Sequence, residues 1–169
     1  MPPPPQPDGA TRNEWALPIL LIVLTFASTL YVGAGMELGH PPEGLSEFFA
    51  GWTFSLPLMA ILLAHEFGHY WTGRYHGVDI SPPYFIPMPL FLLGTMGAVI
   101  RMRGAIRSRA ALFDVGASGP IAGLIIALPV LSYGLYTSPV EALPTDGTGY
   151  LIEGRDPVDY AVHVARILD

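Results

Sequence analysis

Long stretches without charged residues dominate the pattern of hydrophobic and polar positions along this chain. The first covers residues 15–36, the second covers 48–64 and can continue as a helix through His69, and the third covers 115–140. At a rise of about 1.5 Å per residue, each can cross the roughly 30 Å hydrocarbon layer of a bilayer. We therefore predict three transmembrane helices, at about 15–36, 47–72 and 115–137.

A fourth apolar run, at 80–100, has a different composition. It contains four prolines and two glycines, which remove helical hydrogen bonds and interrupt a continuous helix: Pro82, Pro83, Pro87, Pro89, Gly94 and Gly97. Irregular backbone at membrane depth is tolerated only where protein or a wet cavity covers it. We expect a re-entrant or interfacial segment with a short strand at 98–103. The predicted fold class is an all-α polytopic membrane protein of three transmembrane helices, with this Pro/Gly-rich re-entrant or short β segment between helices two and three.

The polar ends of the chain give the expected domain organisation. Residues 1–14 are rich in proline and predict a disordered tail, and residues 141–169 form a polar, turn-rich C-terminal segment. Between them, residues 15–140 form the predicted membrane core.

Composition narrows the class of protein further. Hydrophobic residues make up 51% of the chain and charged residues only 13%, which predicts a lipid bilayer as its surroundings. There is no cysteine, so a disulfide framework and a thiolate metal site are both excluded. A net charge of −6 leaves no basic face for nucleic acid, and no nucleic-acid partner is expected.

The distribution of arginine predicts the orientation in the membrane. Five arginines lie between the second and third predicted helices: Arg74, Arg101, Arg103, Arg107 and Arg109. Because arginine-rich loops stay in the cytoplasm, the N-terminus is expected there too, and residues 65–69 should lie toward the cytoplasmic end of helix two. We expect a multi-pass integral membrane protein of the cell (plasma) membrane.

The polar end of the second helix carries the candidate chemistry. In the sequence HEFGH at 65–69, His65 and His69 are four positions apart and project from one helical face, where they can bind one divalent ion. Neutral imidazole suits Zn²⁺, and Glu66 can take a proton from an attacking water as general base. The alternative is a polar cap at the membrane interface without chemistry, but ionisable groups beside an apolar span are costly and favour a functional site.

Four short segments in order add to this motif: HEFGH at 65–69, YFIP at 84–87, GAVIRMR at 97–103, and ALFDVG at 111–116 running into GPIAG at 119–123. Together they resemble the site-2 protease family of intramembrane zinc metalloproteases. The resemblance implies zinc ligands at His65 and His69, a catalytic base at Glu66, and one Zn²⁺ whose activated water hydrolyses peptide bonds of membrane-embedded, typically single-pass, proteins.

The family's third zinc ligand is an Asp in an Asn-x-x-Pro…Leu-Asp-Gly motif that this chain does not contain, and we expect that the chain stops just before it. Asp114 and Asp79 are the nearest carboxylates that could substitute. His76 could approach the metal, although a solvated loop histidine is the favoured interpretation because Gly73 and Gly77 interrupt the helix.

Two alternatives to the peptidase stay open, as do two roles for the strand at 98–103. The chain could be a catalytically incomplete relative that binds membrane proteins without cutting them, as the missing third ligand suggests, or a metal carrier. The strand at 98–103 could pair with an extended substrate, or it could simply seal the helical bundle.

Overall fold

The computed structural model describes residues 14–103 and 108–138. The architecture is mostly helical with one small sheet. In chain order the helices are α1 (Ala16–Leu38), α2 (Leu45–Ala50), α3 (Trp52–Tyr75) and α4 (Arg109–Thr137), and the strands β1 (Tyr84–Pro87) and β2 (Thr95–Val99) lie between α3 and α4. The chain divides into two compact units, Met1–Tyr133 and Gly134–Asp169, and the packing described below lies within the first.

The helices differ from the predicted bounds in two places. The helix expected at 47–72 is divided at Gly51, which lies so close to Leu30 and Ala34 of α1 that a Cβ there would overlap their backbone. The helix expected at 115–137 begins earlier, at Arg109, because Ser108 starts it by accepting a bond from the Leu112 amide on its carbonyl oxygen. Charged residues are compatible with a helix, so the uncharged stretch marked its apolar part and not its start.

Two helices, α1 and α4, are long and apolar enough to cross a membrane. The remaining expected span, helix two of the prediction, corresponds to α3. This helix is long enough to cross a membrane but is not apolar enough to be a candidate span. Its last turns carry His65, Glu66 and His69, and these polar residues lower the apolar character of the helix. The described residues therefore contain two candidate membrane-spanning helices, and the prediction of three transmembrane helices is not confirmed.

Helices α1 and α3 pack side by side in opposite directions. At one end Trp15, just before α1, contacts the rings of Phe67 and Tyr70 near the end of α3. Where the middle of α1 meets the first turn of α3, the hydroxyls of Thr29 and Ser55, both fully buried, lie 2.5 Å apart. The first turn of α1 thus lies beside the HEFGH end of α3.

The two strands form an antiparallel hairpin that packs against α1. Tyr84 pairs with Val99 and Phe85 with Ala98, and Phe85 is fully buried. Gly94, with φ of +72°, lies against the α1 backbone and accepts a 2.6 Å hydrogen bond from Ser28 on its carbonyl oxygen. A side chain would clash with α1 there and would disfavour the positive φ, so this contact requires glycine.

The expected strand at 98–103 is shifted in the structure. The regular strand is β2 (Thr95–Val99), and the chain beyond it continues extended to a single bridge between Ile80 and Met102. The strand β1, which includes Pro87, was not predicted, because the prolines at 82–89 argued only against helix. Pro87 falls at the end of β1, next to the register shift, where a missing N–H costs no ladder bond.

The predicted tail and C-terminal segment lie almost entirely outside the described residues. Residues 1–13 and 139–169 are not described, so the expectations for 1–14 and 141–169 stay predictions.

Candidate metal centre

Two histidines one helical turn apart form the centre of the site. His65 and His69 lie in the second half of α3, and their Nε2 atoms face each other at 3.1 Å. The two rings are 4.8 Å apart between centroids and nearly perpendicular, with an interplanar angle of 79°. This arrangement follows from the i, i+4 spacing, which places both side chains on the same face of the helix.

The other ring nitrogen of His69 determines which tautomer faces His65. Nδ1 of His69 lies 2.6 Å from the carbonyl oxygen of Val115 in α4. A carbonyl oxygen can only accept, so Nδ1 carries the hydrogen and donates it. In the neutral ring the lone pair is then on Nε2, the atom that faces His65. A backbone carbonyl that fixes the tautomer in this way is typical of metal-ligating histidines.

The nitrogen pair also has the separation that a shared zinc ion requires. Two imidazole nitrogens bound to one tetrahedral zinc at about 2.0–2.1 Å lie about 3.3 Å from each other. The observed 3.1 Å is close to that value. Zinc therefore fits this pair with small adjustments of the two rings.

Small residues of α4 make room for the two rings. A Cβ at Gly119 would overlap Nε2, Cε1 and Cδ2 of His69, so α4 can approach the ring only with glycine there. At Gly123 a Cβ would lie 3.4 Å from the Cβ of His65, which is ordinary van der Waals contact. Close approach over small residues is common between membrane helices.

Glu66 follows the first histidine directly on α3. It is partly buried, and within residues 14–103 and 108–138 no hydrogen bond or ion pair engages its carboxylate. Its carboxylate is therefore available to accept a proton from a water or substrate beside the two histidines.

About two thirds of the chain matches a known protein family. The model of peptidase family M50 matches residues 53–165, a range that includes all of α3 except Trp52, the hairpin and α4. The chain belongs to peptidase family M50. This is the site-2 protease family, so the resemblance found in the four sequence segments is confirmed.

The curated relatives of this M50 chain are plant proteins. It is 26% identical over 161 residues to "Probable zinc metalloprotease EGY1, chloroplastic" of Oryza sativa subsp. japonica, covering 83% of this chain and 28% of that protein. It is 32% identical over 151 residues to "Probable zinc metalloprotease EGY2, chloroplastic" of Oryza sativa subsp. indica, covering 88% of this chain and 26% of that protein. The M50 chain thus spans about a quarter of the length of these relatives. No solved structure matches it significantly.

The two apolar helices and the family together indicate that this M50 chain is a membrane protein. The relatives' names imply zinc as the metal.

The third ligand of the M50 chain is not found among its described residues. Within 14–103 and 108–138, no further His, Asp or Glu joins His65 and His69 in a group that could hold a metal. Asp114 is instead paired with His76, whose Nε2 donates to Oδ2 at 3.0 Å. Asp79 lies in the turn after α3, where its backbone carbonyl accepts a bond from the Arg103 amide.

The interpretation of His76 as a solvated loop histidine is confirmed in part. The helix continues past Gly73 to Tyr75, further than Gly73 and Gly77 indicated, but His76 is an exposed residue in the turn that follows. Its side chain, 24% exposed, is not free in solvent because it pairs with Asp114. The Ile80 side chain packs against Gly73 where a Cβ would lie, so this position in the helix requires glycine.

Sequence reasoning missed two parts of the M50 site, the carbonyl of Val115 and the wall formed by Gly119. Both come from α4, whose segments at 111–116 and 119–123 were used only for the family resemblance. A half-open cavity of about 180 Å³ also adjoins the site, and was not predicted. It is lined by His69, Ile80, Ile100, Met102, Leu112 and Val115.

Proposed function

We propose that this chain is the metal-binding part of a zinc-dependent intramembrane endopeptidase that hydrolyses peptide bonds of membrane-embedded proteins. The observation that carries the proposal is the paired Nε2 atoms of His65 and His69, with the His69 tautomer fixed by the Val115 carbonyl. Peptidase families share chemistry through such sites, and membership in M50 supports the assignment.

Three residues of the motif and one glycine of α4 have separate roles in this proposal. His65 and His69 hold a single zinc ion, which when bound polarises a peptide carbonyl and makes water a stronger nucleophile. Glu66 takes a proton from the attacking water and delivers it to the leaving amine. Gly119 has no side chain, so the His69 ring can lie directly against α4 at this position.

The third span of the proposed membrane core is α3. Trp52 is 58% exposed and Trp71 is 67% exposed, and they lie near the two ends of α3. Nineteen helical steps separate them by about 28 Å, close to the thickness of the hydrocarbon layer. Tryptophan is enriched at both membrane interfaces, so the spacing supports a span despite the polar motif near one end.

The hairpin of β1 and β2 forms the re-entrant segment of this core. Ile80, before β1, packs on Gly73 near the end of α3, whereas Gly94 contacts Ser28. Ser28 lies about 18 Å along α1 from its first residue. The hairpin therefore runs from the level of one helix end to mid-membrane depth and is covered by α1 there.

We further propose that the N-terminus and the arginine-rich end face the cytoplasm. Arg74 lies in the last turn of α3 and Arg109 at the start of α4, the same end of the bundle at which Trp15 contacts Phe67. Short arginine-rich connections stay in the cytoplasm. The plasma membrane stays a prediction only, since the names of the plant relatives place those proteins in the chloroplast.

The substrates in this proposal are membrane-embedded, single-pass proteins that present an extended segment to the site. The segment 100–103 already bonds on one side with Asp79 and Ser81, so a substrate strand would use the other edge of β2. If the hairpin only seals the bundle, a substitution that blocks this edge of β2 should leave the cleavage rate unchanged.

A second candidate function rests on the incomplete ligand set. With two protein ligands among the described residues, the chain could bind membrane proteins and not cut them. The availability of the Glu66 carboxylate favours the peptidase, because binding alone needs no base.

Glu66→Gln separates these functions. In proteoliposomes with a fluorescent single-span reporter protein, we expect this variant to lose at least about 100-fold in cleavage rate while zinc content stays equal to wild type. Glu37→Gln, which changes an exposed carboxylate near the end of α1, is the matched control and should cleave normally. Zinc binding with no cleavage by the wild-type chain would contradict the peptidase and support the binding function.

A further inference from the structure

The junction between the end of α3 and the beginning of α4 holds two polar contacts on neighbouring residues of α4. Asp114 pairs with His76, and the next residue, Val115, accepts the hydrogen bond of His69. We propose that Asp114 and His76 are positioning residues for the metal ligand His69. The inference rests on the proposed zinc site and adds two residues to it.

The spacing on α3 explains why the two contacts act together. His69 and His76 are seven positions apart, almost two full turns, so they lie on the same face of the helix. On α4 their partners are consecutive. One contact alone lets α4 pivot about it, whereas two contacts separated along α3 fix both the rotation and the axial position of α4.

The position of α4 matters because a backbone carbonyl cannot adjust by itself. The Val115 carbonyl points along the axis of its own helix, and its direction at His69 changes with any rotation or shift of that helix. Between α3 with its C-cap and α4, the described residues make no other polar side-chain contact than these two. Gly119 and Gly123 permit close approach but supply no directional bond.

The energies predict that this role can be separated from folding. The Asp114 side chain is 48% exposed and the His76 side chain 24%, and such partly exposed pairs contribute little to stability. Direct partners of metal-ligating histidines typically change metal affinity about 10- to 100-fold. A pair that acts through helix α4 should have a smaller effect, about 3- to 10-fold.

The test measures metal binding by the full chain in detergent micelles. Asp114→Asn and His76→Asn should each weaken zinc binding about 3- to 10-fold in competition with a chromogenic chelator, and should shift the visible ligand-field bands of the Co²⁺-loaded protein. The thermal unfolding midpoint of the metal-free protein should stay within experimental error. Asp79→Asn makes the same charge change at an exposed carboxylate nearby and should match wild type in all three measurements.

A double variant and a conservative variant make the test sharper. Asp114→Asn combined with His76→Asn should be no worse than either alone, because both remove one contact. Asp114→Glu keeps a carboxylate and should recover most of the affinity.

Three results would overturn the inference: unchanged affinity and Co²⁺ bands in Asp114→Asn, additive losses in the double variant, or an equal loss in Asp79→Asn. A wild-type chain that binds neither zinc nor Co²⁺ would instead contradict the proposed function itself. If the wild-type chain binds metal and the Asp114 and His76 variants bind it equally well, the proposed zinc site stands and only the positioning role fails.

Discussion

Helix α3 presents two faces that pack by different means. Toward α1 it uses a buried hydroxyl pair, Thr29 with Ser55, and an aromatic contact of Trp15 with Phe67. Toward α4 it places the His65 and His69 rings against small residues, with one ring bonded to the Val115 carbonyl. On the first face the two hydroxyls bond each other and the carbonyl oxygen of Phe26. On the second face the two histidines bond each other through Nε2 atoms 3.1 Å apart, the atoms through which imidazole can also bind a metal.

This difference shows which face can carry chemistry. A buried hydroxyl pair that satisfies itself stabilises helix packing and offers nothing to a ligand. In the histidine pair the fixed tautomer puts a lone pair on Nε2 of His69, and the other tautomer of His65 supplies the second lone pair that a shared metal requires. Changes on the α4 face should therefore alter metal binding, and changes on the α1 face should alter stability.

The largest effect is expected where the α4 face is tightest. In Gly119→Ala the new methyl group would overlap the His69 ring and displace it, so zinc binding should weaken roughly 10- to 100-fold. Gly123→Ala is the matched control, because its Cβ would meet His65 only at van der Waals distance. Chelator competition on both variants measures the difference, and equal zinc affinities would show that the close approach at Gly119 does not position the ring.

A smaller effect is expected at the aromatic contact on the α1 face. Trp15→Leu removes one stacked and one edge contact, with Phe67 and Tyr70, and should lower the free energy of unfolding by about 1 kcal/mol. Trp52→Leu removes an exposed ring with no described aromatic partner and should change stability less. Unfolding in mixed micelles measures both variants. If Trp15→Leu lowered the free energy of zinc binding more than the free energy of unfolding, the two faces would not have separate roles.

The smallest effect is expected at the hydroxyl pair. Thr29→Val keeps the shape of the side chain and removes its bonds to Ser55 and to the Phe26 carbonyl. A polar contact between helices in membrane proteins contributes about 0.6 kcal/mol on average. The exposed Thr53→Val serves as control. Zinc affinity should be unchanged in both. If Thr29→Val weakened zinc binding without a change in unfolding, the hydroxyl pair would belong to the metal site.

The sequence predicted the features that depend on local spacing. His65 and His69 share one face because four residues make one turn, and the structure shows their rings in contact. The proline-rich run after α3 was expected to be irregular with a short strand, and a hairpin is found there, although its strand bounds were shifted.

Features that depend on packing between helices could not be predicted in this way. The Val115 carbonyl lies 46 positions from His69, and every residue type has a carbonyl, so no side-chain pattern marks it. The contact of His76 with Asp114 likewise depends on how α4 lies against the end of α3. The division at Gly51 depends on the closeness of the α1 backbone.

The most direct test of the central claim is zinc K-edge X-ray absorption on the full chain loaded with one equivalent of zinc. The expected spectrum shows two imidazole ligands with zinc–nitrogen distances of about 2.0–2.1 Å. Both should disappear in a variant that combines His65→Ala with His69→Ala, and both should persist in His40→Ala, which changes an exposed histidine bonded to Pro41. A spectrum without imidazole ligands, or one that the double variant leaves unchanged, would contradict a zinc site on α3.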